Sequence, residues 1–214
     1  GVQLFNRKNG RLESLTEAGR KIYRYATEIV NRHEEMLSMI HIEAQKQKGT
    51  INLGIPSLIL RVYFASALPH FLKNNPHIHI QVTEGGGKEI RQKMVDGDLN
   101  LSILIEPTSL DAKKYEQHII QLDEYVAYMD KDHPLAQKSL LEWSDIASYE
   151  LATFNKTFTT YDLVTEKLRS QRIEAKFAYL SSTWDFLVES THQTDLIALL
   201  PRPVEYFVDK SRFK

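Results

Sequence analysis

Thr50-Ile51-Asn52-Leu53-Gly54-Ile55-Pro56-Ser57 is where the chain changes its period. Ile51, Leu53 and Ile55 alternate with smaller or polar residues, the two-residue repeat of a strand. Pro56-Ser57 then opens a helical pattern through Leu58–Asn74, in which Pro69 predicts a kink. Alternation returns over His77–Thr83. Glu84-Gly85-Gly86-Gly87 reads as a loop, and Lys88–Asp96 as a short helix carrying Ile90, Met94 and Val95. Leu99–Ile105 is a mostly apolar strand of the kind buried on both faces. This β-α-β-α-β order is one doubly wound unit.

Downstream, Glu106-Pro107-Thr108-Ser109 reads as a crossover into a second unit. Gln117–Leu122 and Tyr125–Met129 are extended, Asp130–Pro134 is a loop, and Ser139–Ser148 is helical. Leu151–Phe154, Ala175–Leu180 and Leu196–Leu200 read as strands, the last ending at Pro201. Thr160–Gln171 and Thr183–Thr191 read as helices between them. Two similar α/β lobes joined by short crossovers imply a cleft, as in type 2 periplasmic-binding-protein folds.

Upstream, residues 16–48 read as one helix of roughly 48 Å at 1.5 Å per residue. Ser14 with Glu17 matches a capping box, and Thr16 is the alternative cap. Lys46, Lys48 and Gly49 form the stop. Leu15, Ala18, Ile22, Tyr25, Ile29, Met36 and Ile40 recur at near-heptad spacing, interrupted by His33 and flanked by Ala26, Val30, Leu37 and Ala44. Such a stripe needs a partner. A same-chain core would serve, but its position between two modules favours a second copy. Ahead of the helix, Gly1-Val2-Gln3-Leu4-Phe5-Asn6-Arg7-Lys8-Asn9-Gly10-Arg11 has an apolar anchor at Leu4-Phe5 and a hairpin turn at Asn9-Gly10. Arg7, Lys8 and Arg11 make the tip of that hairpin basic.

The ordered motifs resemble the LysR-type transcriptional regulators. In that family a run such as Leu-Gly-x-x-Leu-Phe-x-Arg, then Leu-Thr-x-Ala-Gly, closes a winged helix-turn-helix. Here the run is entered at its Gly and continues through Leu15-Thr16-Glu17-Ala18-Gly19. Gly-Thr-Ile-Asn-Leu-Gly at 49–54 resembles the family's first regulatory strand. Leu68-Pro69, Phe71 and Pro76 resemble its first helix and return, and Leu-Asn-Leu-Ser-Ile at 99–103 stands for Leu-Asp-Leu-Ala-Ile. His133-Pro134-Leu135-Ala136 and Leu199-Leu200-Pro201 fall in register too. Asp195-Leu196 departs from the usual Gly-x-Gly before the last strand. The resemblance implies a wing remnant over 1–15, a dimerising linker helix over 16–49, and effector-domain lobes over 50–106 and 107–201. Residues 202–214 would begin a return crossover to the first lobe, with the chain ending before that crossover is complete.

Composition constrains function further. The 214 residues are 42% hydrophobic and 26% charged, ordinary for a globular protein, and contain no cysteine, so disulfides and thiolate metal sites are excluded. No apolar run approaches membrane-spanning length, and no signal-peptide pattern opens the chain. Net charge is −1, but residues 1–24 hold six cationic side chains against two carboxylates. That end suits phosphate contacts while the remainder has no electrostatic reason to touch DNA.

Several constellations invite chemistry and are better read as structure. Glu84-Gly85-Gly86-Gly87-Lys88 lacks phosphate-loop spacing, and Glu89 stands where a magnesium-binding hydroxyl belongs; it reads as a strand-to-helix turn at a sheet's carboxyl edge. His77 and His79 share a strand face without a third ligand, and His33 and His41 are too far apart along the helix to share a metal. Ser57 lacks a nucleophile elbow and reads as a helix cap whose free amides suit an anionic group. No catalytic constellation, cofactor or metal site is expected.

The cleft is the site the sequence supports. Pro56, Ser57, Leu58, Gly85, Gly86, Ile105 and Glu106 of the first lobe should face Phe154, Asn155, Lys156, Thr157, Phe158, Ser182, Thr183 and Trp184 of the second. The resemblance implies an effector at those positions. Lys156 and the Ser57 helix start favour an anion, Glu84 and Glu106 oppose one, and the ligand's charge stays open. Arg7, Lys8 and Arg11 are the expected DNA contacts, positioning on phosphates or the minor groove. The reading is a cytoplasmic DNA-binding regulator, not an enzyme, controlled by a small-molecule effector and assembled as a homodimer or homotetramer, without membrane contact. A solute-binding transport protein with the same two lobes is the alternative.

Overall fold

The computed structural model describes residues 1–8, 10–46 and 49–214. Asn9 of the expected turn, Lys48 of the expected helix stop, and the side chains of His41 and Ala44 lie outside that description. Strands β1 (Phe5–Lys8) and β2 (Arg11–Leu15) pair antiparallel, with a bulge at Asn6/Arg7 and Gly10 at φ +77°. Helix α1 follows over Glu17–Lys46. Its cap is Thr16, whose Oγ1 accepts from Gly19 N at 2.9 Å. Ser14 instead accepts from the Asn6 side chain across the hairpin. The stripe residues from Ile22 to Ile40 are 44–69% exposed at Ile22, Tyr25, Ile29, Val30, Met36, Leu37 and Ile40. No same-chain core covers them among the described residues. No helix is long and apolar enough to cross a membrane, among the described residues.

The first lobe is a parallel sheet in the order β4-β3-β5, with β3 at Thr50–Ile55, β4 at His79–Glu84 and β5 at Leu101–Ser102. Leu53, Ile55, Ile90 and Leu99 are its buried core, Ile90 lying on α4 (Gly87–Val95). The expected Leu99–Ile105 strand is shorter. Asn100 and Ile103 donate to Asn52 O and Gly54 O on either side of β5, but Asn100 Oδ1 takes the Asn52 amide at 2.8 Å, so a side chain replaces a ladder bond there.

The expected single helix over Leu58–Asn74 is broken into α2 (Ser57–Ile59), a π-helical turn (Leu60–Phe64) and α3 (Ala67–Asn74). The break falls at Ala65–Ser66, and Pro69 sits in the first turn of α3. Proline has no N–H to offer the carbonyl four residues back, here Ala65, so the interruption lies upstream of the ring. Within the first turn that missing donor costs little.

The second lobe's sheet runs β6-β9-β7-β8, with β6 (Tyr125–Tyr128) antiparallel to β9 (Ile197–Pro201) and β7 (Leu151–Phe154) parallel to both β9 and β8 (Phe177–Ser181). Its strands feed two cores with period two. Met129, Leu151, Ile197 and Leu199 join Val164 and Leu168 of α5 (Thr159–Ser170) on one face. Tyr128, Ala152, Phe154, Ala198 and Leu200 join Trp184, Leu187 and Val188 of α6 (Trp184–Glu189) on the other. Thr153, fully buried, donates its hydroxyl to Leu199 O at 2.8 Å, which removes the cost of an unpaired polar group.

Two expectations in this lobe are corrected. Ser139–Ser148 is not one helix: it holds a 3₁₀ turn at Trp143–Ile146, closed by Glu142 N donating to Asp145 Oδ2 at 2.9 Å, and another 3₁₀ turn precedes it at Pro134–Gln137. Gln117–Leu122 joins no ladder among the described residues, and Ile119, Ile120 and Leu122 stand exposed.

The loop before β9 is held by an acid. Asp130 Oδ2 accepts from Gln193 N at 2.6 Å and lies 3.0 Å from His192 Nδ1, while its Oδ1 accepts from Asp132 N. Gln193 takes φ +54°, a left-handed conformation that a non-glycine residue adopts at a cost. Asp130 therefore does for the Asp195-Leu196 loop what extra glycines would do by conformational freedom.

Leu187→Ala, at a fully buried site, should lower unfolding stability by about 2–5 kcal/mol in urea titrations. The amides of Gln193 and Asp132 hold the Asp130 carboxyl below its ordinary range, so its contribution is present above the unfolded value of roughly 3.9 and lost as pH falls through the lower folded one. Asp130→Asn should thus melt below the wild type at pH 7, and the gap should narrow under pH 4 in a melting series.

Candidate functional site

Leu58, at the first turn after β3, is a first-lobe side chain buried in the second lobe's core, 5% exposed and clustered with Phe154, Phe158 and Trp184. Around that plug lie two cavities. The larger, 1590 Å³, runs from Pro56, Ser57 and Leu58 past Ile105 and Glu106 to Phe154 and Phe158, and is bounded on α1 by Glu35, Ser38 and Met39. The smaller, 560 Å³, brings Ser57, Thr183 and Trp184 together with Arg61, Glu84 and Asp185. Ser57 lines both.

The remaining expected cleft residues are placed otherwise. Gly85 and Gly86 line neither cavity, because the start of α4 abuts the second lobe: Lys88 N donates to Thr157 O at 3.1 Å. Asn155 is spent on its own loop, its Oδ1 accepting from Thr157 N and from Thr157 Oγ1 at 2.6 Å. Lys156 offers its carbonyl to Lys88 Nζ at 2.8 Å. Ser182 is exposed and lines neither cavity, while Trp184, on the wall of the smaller one, is also packed against Arg61 and Phe207.

The larger cavity sets an apolar wall and phenol hydroxyls beside carboxylates, Glu35, Glu106, Asp123 and Glu124 among them, and the Lys114 ammonium. Burial and the nearby Asp123 carboxylate push the Tyr63 phenol up to about 12, and its hydroxyl donates to Asp123 Oδ2 at 3.0 Å. Burial raises the Tyr125 phenol as well, so both stay protonated donors at neutral pH. On the α1 side, Lys114 Nζ lies 3.1 Å from Glu35, which lowers the carboxyl and raises the ammonium. The smaller cavity carries the Arg61 guanidinium, 4.8 Å from the Phe207 ring centre and 5.6 Å from that of Trp184. Arg61, Tyr63 and Lys88 escaped sequence reasoning. Each acts on a partner at least sixty residues away, and only Lys88 carried a local signal, beside the three glycines.

The expected DNA contacts gather on the hairpin. Lys8 faces Arg11 in the β1–β2 register, Arg7 faces Leu12, and all three cationic side chains are exposed. Lys8 Nζ lies 3.7 Å from Glu13, a long exposed pair that holds it weakly. Among the described residues, no group of three or more His, Asp or Glu side chains could hold a metal ion.

Known proteins share this architecture. The profile of the LysR substrate binding domain matches residues 44–212. The HTH-type transcriptional regulator CysB of Burkholderia cenocepacia is 25% identical over 158 residues, 74% of this chain and 50% of that protein. Full-length CbnR, solved with its target DNA, superposes on all of this chain and 72% of its own with TM-score 0.57 and 14% identity. The effector-binding domain of QuiR, solved with shikimate, covers 72% of this chain and 73% of its own with TM-score 0.61 and 18% identity. The chain spans about half the length of the curated relatives it matches. Its sheet orders, its two lobes and that match place the chain in the LysR substrate-binding domain family.

Proposed function

We propose that this chain is the linker and effector-sensing part of a LysR-type transcription regulator. A small molecule held between the lobes over 50–106 and 107–201 would bias the assembly geometry and so reposition DNA-binding domains carried ahead of the wing remnant. The observation that carries the reading is the family match over residues 44–212 in a chain whose preceding segment is a basic hairpin feeding a 30-residue helix. A transport protein has no use for either element, which is why regulation is preferred to solute binding. The relatives' names as transcriptional regulators support a non-enzymatic role in the cytoplasm.

Arg7, Lys8 and Arg11 would neutralise phosphates beside the reading helix without reading sequence themselves. The exposed stripe of α1 supports assembly as a homodimer, or as a homotetramer of two such dimers. QuiR's effector-binding domain was solved with shikimate and CbnR with its target DNA, which supports a small-molecule effector and DNA as the two partners of this chain.

The test is a genomic pull-down with the chain carried behind its own upstream sequence, at two salt concentrations. Discrete sites should be enriched and should weaken steeply with salt, and neutralising Arg7, Lys8 or Arg11 should each reduce the log–log salt slope by about 1. No enrichment at either salt would remove the regulator reading. Assembly has its own check: Ile29→Glu with Met36→Glu should shift the sedimenting species toward monomer while the far-ultraviolet spectrum of the lobes stays unchanged.

A further inference from the structure

The first lobe's Gly86-Gly87-Lys88 and the second lobe's 155–162 segment meet directly. Lys88 Nζ donates to Lys156 O at 2.8 Å and lies 2.6 Å from Asp162 Oδ2, and the Lys88 amide donates to Thr157 O. Lys88 and Asp162 are both about half exposed, and ion pairs this exposed hold little by themselves. The shape of the backbone is what makes the contact specific. Gly86 takes φ −71° and ψ 151°, an extended conformation open to any residue, so its own backbone does not require glycine. The other lobe does. A Cβ on Gly86 would stand 2.5 Å from Thr157 O and 2.6 Å from Thr157 Oγ1, and one on Gly87 would stand 2.8 Å from Thr159 Oγ1.

We infer that Gly86, Gly87 and Lys88 form an inter-lobe latch: the two missing side chains let the lobes close, and Lys88, bonded through both its amide and its ammonium, adds to the hold of the buried Leu58. The latch controls access to the cleft proposed above, and it rests on that reading only for this consequence. Closure itself needs no ligand to be measured. A wedge at position 86 should open the lobes without disturbing the fold of either, because Ala tolerates the same φ and ψ.

The chain has no cysteine, so Lys73→Cys on α3 and Lys167→Cys on α5 give a clean pair of spin-label sites, one in each lobe. Diluting the labelled chain with unlabelled chain leaves only intrachain distances in a double electron–electron resonance measurement. The otherwise unaltered protein should give one narrow distance distribution. Gly86→Ala should move it to a longer mean with unchanged circular dichroism, and Lys88→Met should add a second, longer population. Combining Lys88→Met with Asp162→Asn should open the lobes no further than Lys88→Met alone, since the two changes break one contact. A wild-type distribution that is already broad, or variants whose distributions match the wild type, would overturn the latch. If Gly86→Ala unfolds the first lobe, Lys88→Met decides by the same readout. A cleft that later binds no effector leaves these distances standing, so the two readings fail separately.

Discussion

Burial of Leu58 in a core built mainly by the other lobe is the interaction on which the rest of the arrangement depends. Leu58 leaves the carboxyl end of β3 and enters the cluster of Phe154, Phe158, Trp184, Leu187 and Leu200. Full burial of such a side chain stabilises by about 1.5–3 kcal/mol, far more than the exposed ion pairs that also cross between the lobes. The second sheet can accept it because that sheet is apolar on both faces. Helix α5 covers one face, while α6, Val204 and Phe213 cover the other in part, and the first lobe's Leu58 joins them.

That plug fixes the geometry of everything polar around it. With Leu58 seated, Ser57 opens onto both cavities, and the Arg61 guanidinium stacks on Trp184 and Phe207. The π-helical turn at Leu60–Phe64 lies between α2 and α3 and carries both Arg61 and Tyr63 toward second-lobe or crossover partners. Such turns often mark functional positions, since the extra residue redirects a side chain at some cost in hydrogen bonding. Charge is segregated in the same spirit. The cationic excess stays on the hairpin and the first turns of α1, and the cleft sets a mostly apolar wall beside carboxylates such as Glu106, Asp123 and Glu124. Lys114 bound to Glu35 ties the crossover between lobes to α1, so the lobes and that helix share a physical contact.

Much of the fold was legible because it is written in local periodicity. The strands at 51–55 and 151–154, the helix over 159–170 and the long amphipathic α1 each show their own pattern, and Thr16 stands where a cap for α1 belongs. The misses have local causes that the repeat does not encode. Asn100 gave its side chain to a ladder position, so β5 shrank. Pro69 interrupted the helix four residues upstream of itself. Glu142 and Asp145 closed a tight turn in place of a helix.

The candidate site divides along the same line. Pro56, Ser57, Leu58, Ile105, Glu106, Phe154 and Phe158 were readable because strand ends in open α/β sheets face a crevice, a rule that follows from topology alone. Local sequence was enough for the class of fold, the basic hairpin, α1 with its exposed stripe and the two α/β units, because each shows in patterns a few residues long. Long-range packing is what denies Gly86 a side chain beside Thr157, sets Asp130 to hold the loop at Gln193 and seats Leu58 in the second core. Each joins residues more than sixty positions apart, and no local pattern records which distant surface a side chain will meet.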